Sequence, residues 1–408
     1  MASLVDADIT EIRQASPGLS GAAIPSMGGG LLLVLGALGY GYATGDVSRF
    51  WHAYLLGLMF ITSLGVGGLF FVIAHHLTGG RWGTTVRRLA EITAGTLTTA
   101  AVLFLPILAL NFSGSDALYP WIDRAYVEND PILASKQYYL EPTWFAIRAV
   151  VYFVAWIGMS RLMLGASVKQ DDNQPLKQAQ WMQTVSGPMM IVLALTMNFA
   201  AFDWMMSLEP HWFSTMFGVY FFAGSFLGFL AMLLLLSSYL QDQGVLTQSI
   251  TTEHFHDIGK LMFAFVFFWG YIAFSQYMLI WYAAIPEETL WYDLRQQGPW
   301  IAWGATLVAG HLLVPFLGTM SRWVRRTKAI ICFWAGWMLL MHWADLFYMI
   351  QPQVRGGTDP LPFPLLEIIA TAGMMGIFVG AWMRGAAGKW LLPVQDPRLP
   401  IALSYHNH

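Results

Sequence analysis

The sequence predicts an all-α integral membrane protein with ten transmembrane helices. Three observations lead there. Of 408 residues only 45 are charged (21 Lys+Arg and 24 Asp+Glu), or 11%, where a soluble domain carries roughly 25%. Apolar residues make up 56% and aromatics 15%. The apolar residues fall into ten runs, each near the ~20 residues that a bilayer crossing needs. A disordered chain and an ordinary cytosolic enzyme are excluded on these grounds. The net charge of −3 supplies no field for a nucleic acid.

The elements follow in chain order. Residues 1–26, opening MASLVDADITEIRQ, are acidic and lack a basic stretch ahead of an apolar core. They read as a soluble tail, without signal-peptide character. Span 1 (27–45) is rich in glycine and leucine. Span 2 (50–76) ends in His75 and His76, and span 3 (89–112) begins at Glu91. Span 4 (143–165) carries Arg148 and is followed by the polar break KQDDNQPLK (169–177). Span 5 (184–207) leads into FDWMMSLEP (202–210), and span 6 (212–240) is a Phe/Leu run. Span 7 (258–284) opens on EHFHDIGK (253–260), span 8 (298–320) holds His311, span 9 (328–350) ends ADLFYMIQP (344–352), and span 10 is 363–384. Connectors 113–142 and 241–257 are long enough for structure of their own; the rest read as short turns.

Basic residues in the connectors divide 15 against 5 between the two faces, with Arg148 inside span 4. The richer face holds both termini and SRWVRRTK (321–328), so both termini are expected in the cytoplasm. The SRWVRRTK run itself reads as an orientation anchor or as a site for anionic lipids.

An internal repeat organises the spans. Asp203 and Asp345 each stand seven residues before a proline, at an offset of 142. Spans 2 and 6 align through Trp51 with Trp212, Gly57 with Gly218, Phe60 with Phe221, and Gly67 with Gly228. Two parallel four-helix bundles are expected, spans 2–5 and 6–9, with spans 1 and 10 peripheral. The units are a tail (1–26), peripheral helix 1 (27–49), a first bundle (50–210), a second bundle (211–352), and peripheral helix 10 with a C-terminal tail (353–408). Parallel copies differ from the inverted repeats of many secondary transporters.

Ionisable groups inside the bilayer are costly, so each needs a partner or a task. Asp203 and Arg148 share a depth on spans 5 and 4, and read as a structural ion pair or as a protonatable carboxylate beside a cation. His342 and Asp345 are three apart on one helix face. With His311 they are expected to form a relay, since imidazole passes protons between its two nitrogens. Near the periplasmic ends, Glu209, His211 and Tyr277 extend the candidate path. At the cytoplasmic ends, His75, His76, Glu91, His254, His256, Asp257 and Lys260 form either solvated helix caps or a proton entry vestibule, with Tyr239 and Arg161 continuing it inward. No residue is certain to be catalytic.

No spacing fixes a tetrahedral metal set. The lone Cys332 permits neither an internal disulfide nor a thiolate cage. A b-type haem needs paired histidines at one depth; His52 and His75 lie at opposite faces, and only His311 and His342 share a middle depth. No CxxCH or P-loop occurs.

Two segments carry a family resemblance: DWMMSLEPHWFSTMFGVYFFAG (203–224) and FHDIGKLMFAFVFFWGYIAFSQYMLIWYAAIPEET (255–289). They resemble the F subunit of bacterial alternative complex III, a quinol:electron-acceptor oxidoreductase. That subunit is similar to the C subunit and to the NrfD-like membrane subunits of polysulfide and nitrite reductases. The resemblance implies an NrfD-like fold in the bacterial cytoplasmic (inner) membrane of a respiratory or photosynthetic chain. It implies partners: a homologous C-like membrane subunit, favoured as the quinol site, a periplasmic iron–sulfur subunit, c-type cytochrome subunits, small membrane subunits and lipids. Haem c and iron–sulfur clusters would sit in those partners, and menaquinol or ubiquinol would be the substrate of the complex. This chain would bind no cofactor and would contribute a proton pathway coupled to quinol oxidation. On that reading Asp203→Asn or Asp345→Asn uncouples pumping while the complex assembles. The alternatives are a structural membrane scaffold without proton transfer and a stand-alone secondary transporter.

Overall fold

The computed structural model describes residues 2–172, 174–355 and 363–406. Among these, ten helices are long and apolar enough to cross a membrane. They are Gly21–Ala43, Val47–Leu77, Thr84–Phe112, Pro142–Asp172, Pro175–Leu208, Phe217–Asp242, Thr252–Ala283, Trp300–Thr319, Lys328–Ile350 and Leu365–Ala386. These are spans 1–10 below. The face reached by Leu77, Asp242 and Ala386 is called the terminal side, and the other the opposite side. Residues 356–362, within the predicted unit 353–408, lie outside the described residues.

Local chemistry sets the helix ends. Proline stands at the first turn of spans 4 and 5, where its missing N–H costs nothing and its φ is already helical. Thr251 and His254 close a capping box at the start of span 7. That span ends on Ala284 in the left-handed region, φ 48°, and Pro286 then blocks its continuation.

The helices run farther than the apolar runs predict. One helix, Ala2–Ala43, covers both the expected tail and span 1, because Ala, Glu, Gln and Arg favour a helix whether or not it is in lipid. Span 3 starts at Thr84 rather than 89, and span 4 reaches Asp172 rather than 165. The connector after span 7 is no short turn; it folds into an amphipathic helix, Pro286–Arg295.

Spans 2 and 6 lie at the centre. Burial takes 94% of the apolar window of span 2 and 78% of that of span 6, against 22% in spans 1 and 8. Span 2 packs on spans 3, 5, 6 and 10; span 6 packs on spans 5, 7 and 9; span 4 packs on spans 3 and 5. Spans 1 and 10 lie against each other. A Cβ on Gly373 would stand 2.8 Å from the Gly30 carbonyl oxygen, so these two backbones meet only because small residues face each other. The outer surface exposes large apolar side chains such as Val154, Phe274, Trp281 and Phe333, as a lipid-facing belt requires.

A charged latch closes the terminal side, at residues the sequence assigns to loops. Arg87 and Arg88 are fully buried. Arg87 pairs with Glu91 at 2.9 Å and Asp396 at 2.6 Å, and Arg88 with Glu91 at 3.1 Å and Asp171 at 2.8 Å. The latch ties spans 3 and 4 to the C-terminal segment. Burial alone would push the Asp396 carboxyl up, but the Arg87 guanidinium beside it prevails and holds it below the usual carboxylate range. A depressed folded value adds stability above that range and loses it as pH falls through it.

Replacing Arg88 with Met strands the buried Asp171 carboxylate, removes one of the two guanidinium partners of Glu91, and should cost about 3–5 kcal/mol. Lys328→Gln, which breaks an exposed pair with Asp242, should cost under about 1 kcal/mol. Denaturant titrations of the solubilised protein compare the two. The deficit of Asp396→Asn relative to wild type should shrink as pH falls below about 4, where the carboxyl of the unfolded wild-type chain takes up a proton while the folded one is still ionised.

Candidate functional site

The central feature is a buried polar cluster where spans 2, 6, 7, 8 and 9 meet. His342 and Asp345, on one face of span 9, are both fully buried. They press on span 6 at two glycines. A Cβ on Gly228 would stand 2.8 Å from His342 Cδ2. One on Gly224 would stand 3.0 Å from His342 Nδ1 and 3.5 Å from Asp345 Oδ2. The absence of side chains there brings the two groups to a common point.

Hydrogen bonds fix the imidazole tautomer. Ser63 donates its hydroxyl hydrogen to the Phe60 carbonyl at 2.7 Å, and its Oγ lies 2.8 Å from His342 Nε2. With that hydrogen in use, Oγ can only accept, so Nε2 carries the proton and donates. Nδ1 is left with its lone pair and no hydrogen-bond partner; it and Asp345 Oδ2 both flank Gly224 without pairing with each other. Asp345 accepts from the Tyr220 hydroxyl on Oδ1 and from Trp269 Nε1 on Oδ2 at 3.0 Å. Both donors are neutral, and among the described residues no Lys or Arg nitrogen lies within 4.0 Å of it.

The expected relay is therefore rearranged. His311 is brought to the cluster but not into line with His342. It sits in a π-helical segment, Val308–Leu313, a distortion frequent at functional sites. There its ring stacks on Trp269 with centroids 3.8 Å apart, and neither ring nitrogen is hydrogen-bonded. Trp269 thus stands between His311 and Asp345. The Gly310 carbonyl in that segment accepts from Trp337 Nε1 at 2.7 Å.

Asp203 has the same place in the first half and a different counter-group. Its carboxylate takes a two-point contact from Arg148, at 2.7 and 3.1 Å, and accepts from the Tyr152 hydroxyl at 2.7 Å. The guanidinium lies over the Tyr139 ring at 3.9 Å. Each buried aspartate has a tyrosine donor; one adds a cation, the other an indole.

The remaining candidates divide by side. On the opposite side Glu209 pairs with Arg295 at 2.8 Å and His211 with Asp130 at 2.6 Å. The Asp130 carboxyl, bonded to His211, is held below its usual range. Tyr277 accepts from Gln296 at 3.2 Å. On the terminal side, His75, His76 and His256 are buried with no hydrogen bonds to their ring nitrogens. Glu91 belongs to the latch, and His254 Nδ1 accepts from the Thr251 backbone N–H at 3.0 Å. Lys260 pairs with Asp257 at 2.5 Å. Tyr239 is exposed, and Arg161 lines an outer cleft between spans 4 and 5; neither continues the vestibule inward, because their helix faces turn to lipid.

A second cavity, of about 390 Å³, opens between spans 7 and 8 and helix Pro286–Arg295. Its walls include Tyr220 and Trp269, the two donors to Asp345, with Gln276 and Tyr292 near its mouth. Sequence reasoning by charge missed Ser63, Tyr220 and Trp269, which are uncharged. The signal available was register: Tyr220 and Gly224 are one turn apart, as are Trp269 and Ile272, on buried helix faces.

Gly224→Ala should force a methyl between His342 and Asp345, whereas Gly158→Ala, where no atom lies within 4 Å of the added Cβ, should leave the site intact. Nitrogen NMR of the histidine rings checks this. The Nε2–H form of His342 is expected in wild type and Gly158→Ala, and should be lost in Ser63→Ala.

No family model matches the chain, and a search of curated proteins finds no match either.

Proposed function

We propose that the chain is a cofactor-free membrane subunit of a quinol:electron-acceptor oxidoreductase of the alternative complex III type, and that it carries a proton pathway centred on His342 and Asp345. The fold reading that goes with it is NrfD-like: two four-helix bundles, spans 2–5 and 6–9, with spans 1 and 10 outside and both termini in the cytoplasm of a bacterium. The helix neighbours described above support this grouping, as does the bias of basic residues toward the terminal side.

One observation carries the functional reading. A fully buried carboxylate, Asp345, has only neutral donors, and one turn away on the same helix the buried His342 leaves Nδ1 without a hydrogen-bond partner. A structural acid in a bilayer acquires a cation, as Asp203 does with Arg148. The two groups flank the same bare backbone at Gly224 without an ion pair between them, so a proton passing from one to the other needs a water or a side-chain shift to bridge the gap. The resemblance adds weight: segment 203–224 contains Tyr220 and Gly224, and segment 255–289 contains Trp269.

On this reading protons enter on the terminal side past His75, His76 and His256. They pass through the His342–Asp345 pair and leave on the opposite side by way of Tyr220 and the cavity beside it. Quinol oxidation, the iron–sulfur clusters and the haems belong to the partner subunits. Asp203, Glu209 and Glu91 act as fixed ion pairs, which is the observation that favours the scaffold reading for the first half.

Reconstituted vesicles test the assignment. Asp345→Asn should lower the protons moved per electron while the complex assembles and oxidises quinol. Asp203→Asn should instead reduce the yield of assembled complex, since it leaves the half-buried Arg148 in the span without its counter-charge. An unchanged proton-to-electron ratio in assembled Asp345→Asn complex means that the chain is a scaffold.

A further inference from the structure

Spans 4 and 5 enclose a second charged feature, on the lipid-facing surface of the terminal side. A cleft of about 340 Å³ is lined by Arg161, Leu162, Gly165 and Lys169 from span 4 and by Lys177 and Trp181 from span 5, among others. Arg161, Gly165 and Lys169 are spaced i, i+4, i+8 and so stand on one helix face. Lys177 and Trp181 repeat that spacing on the facing helix. All three cations are exposed. Among the described residues none has a carboxylate within 4.0 Å, whereas the neighbouring Asp171 is turned inward to Arg88.

The floor is open as well. A Cβ on Gly165 or Gly158 would meet no atom within 4 Å. Below the cations an exposed apolar track runs along both helices, through Val154 on span 4 and Val192 and Leu195 on span 5. Arg161 lies eight residues deeper than Lys169, about 12 Å along the axis, so its guanidinium reaches back toward the membrane surface. Three cations with no carboxylate within 4.0 Å among the described residues, at one end of a groove, and an apolar track leading away from them match a ligand that is anionic at one end and hydrocarbon at the other.

We propose that this cleft binds one anionic phospholipid, with its headgroup phosphate among Arg161, Lys169 and Lys177 and its acyl chains along the Val154–Leu195 track. A free phosphate ion would use the cations but gain nothing from the track. Basic pockets between helices are a general device for holding such headgroups. The site stands apart from the proton pathway and does not depend on it.

Native mass spectrometry of the purified full chain in neutral detergent provides the test, with phosphatidylglycerol, phosphatidylcholine and sodium phosphate as probes. Wild type should retain one phosphatidylglycerol per chain in preference to phosphatidylcholine. The triple variant Arg161→Gln, Lys169→Gln, Lys177→Gln should weaken that retention roughly tenfold or more. Gly165→Trp, which fills the floor and leaves the charge unchanged, should do the same; it decides the matter should the triple variant fail to fold. Equal retention in wild type and Gly165→Trp would overturn the proposal, as would displacement of the lipid by sodium phosphate.

Discussion

The contact of Asp345 with two neutral donors, Tyr220 and Trp269, is the constraint around which the protein is arranged. A bilayer offers no water to a polar group, so every such group must be met from within the protein. Holding both donors on one carboxylate requires spans 6, 7 and 9 to converge. That convergence in turn requires glycine at 224 and 228, where any side chain would run into His342. The π-helical turn at Val308–Leu313 then seats the His311 ring on the far face of Trp269.

The two halves answer the same cost in different ways. Asp203 is neutralised by Arg148 and locked by a two-point contact that ties span 4 to span 5. The same solution recurs at the ends of the bundle, in the Arg87–Arg88 latch and in the Arg295–Glu209 pair. These arrangements rigidify, and removing either partner leaves an uncompensated charge. Asp345 has no such lock. What distinguishes it is a neighbour on the same helix face, His342, which is held on its other side by Ser63 and keeps one ring nitrogen without a partner. On the proposed reading, stability and proton exchange fall to separate aspartates at matching positions.

Much of this was legible in the sequence, and the gaps have physical reasons. The ten spans could be read because hydrophobic length is a local property, independent of tertiary contacts. The Asp203–Arg148 pair followed from depth alone, since an isolated charge in a membrane must find its opposite. Span ends were read short where charge was taken to mean solvent: Arg87, Arg88 and Asp171 are buried because they satisfy one another. Ser63, Tyr220 and Trp269 stayed hidden because uncharged polar residues do not interrupt an apolar run. Arg161 was assigned to the interior, although its helix face points to lipid. The His311–His342–Asp345 grouping identified the right region, but spacing along a helix cannot show that an indole from a third helix intervenes.

The central claim is that Asp345 changes its protonation during turnover and Asp203 does not. Infrared difference spectroscopy of the intact complex during quinol oxidation measures this directly. The account predicts a carboxylic C=O band that shifts in deuterated water, disappears in Asp345→Asn and survives in a properly assembled Asp203→Asn complex. A difference spectrum with no carboxyl band, or one that persists in Asp345→Asn, would contradict it.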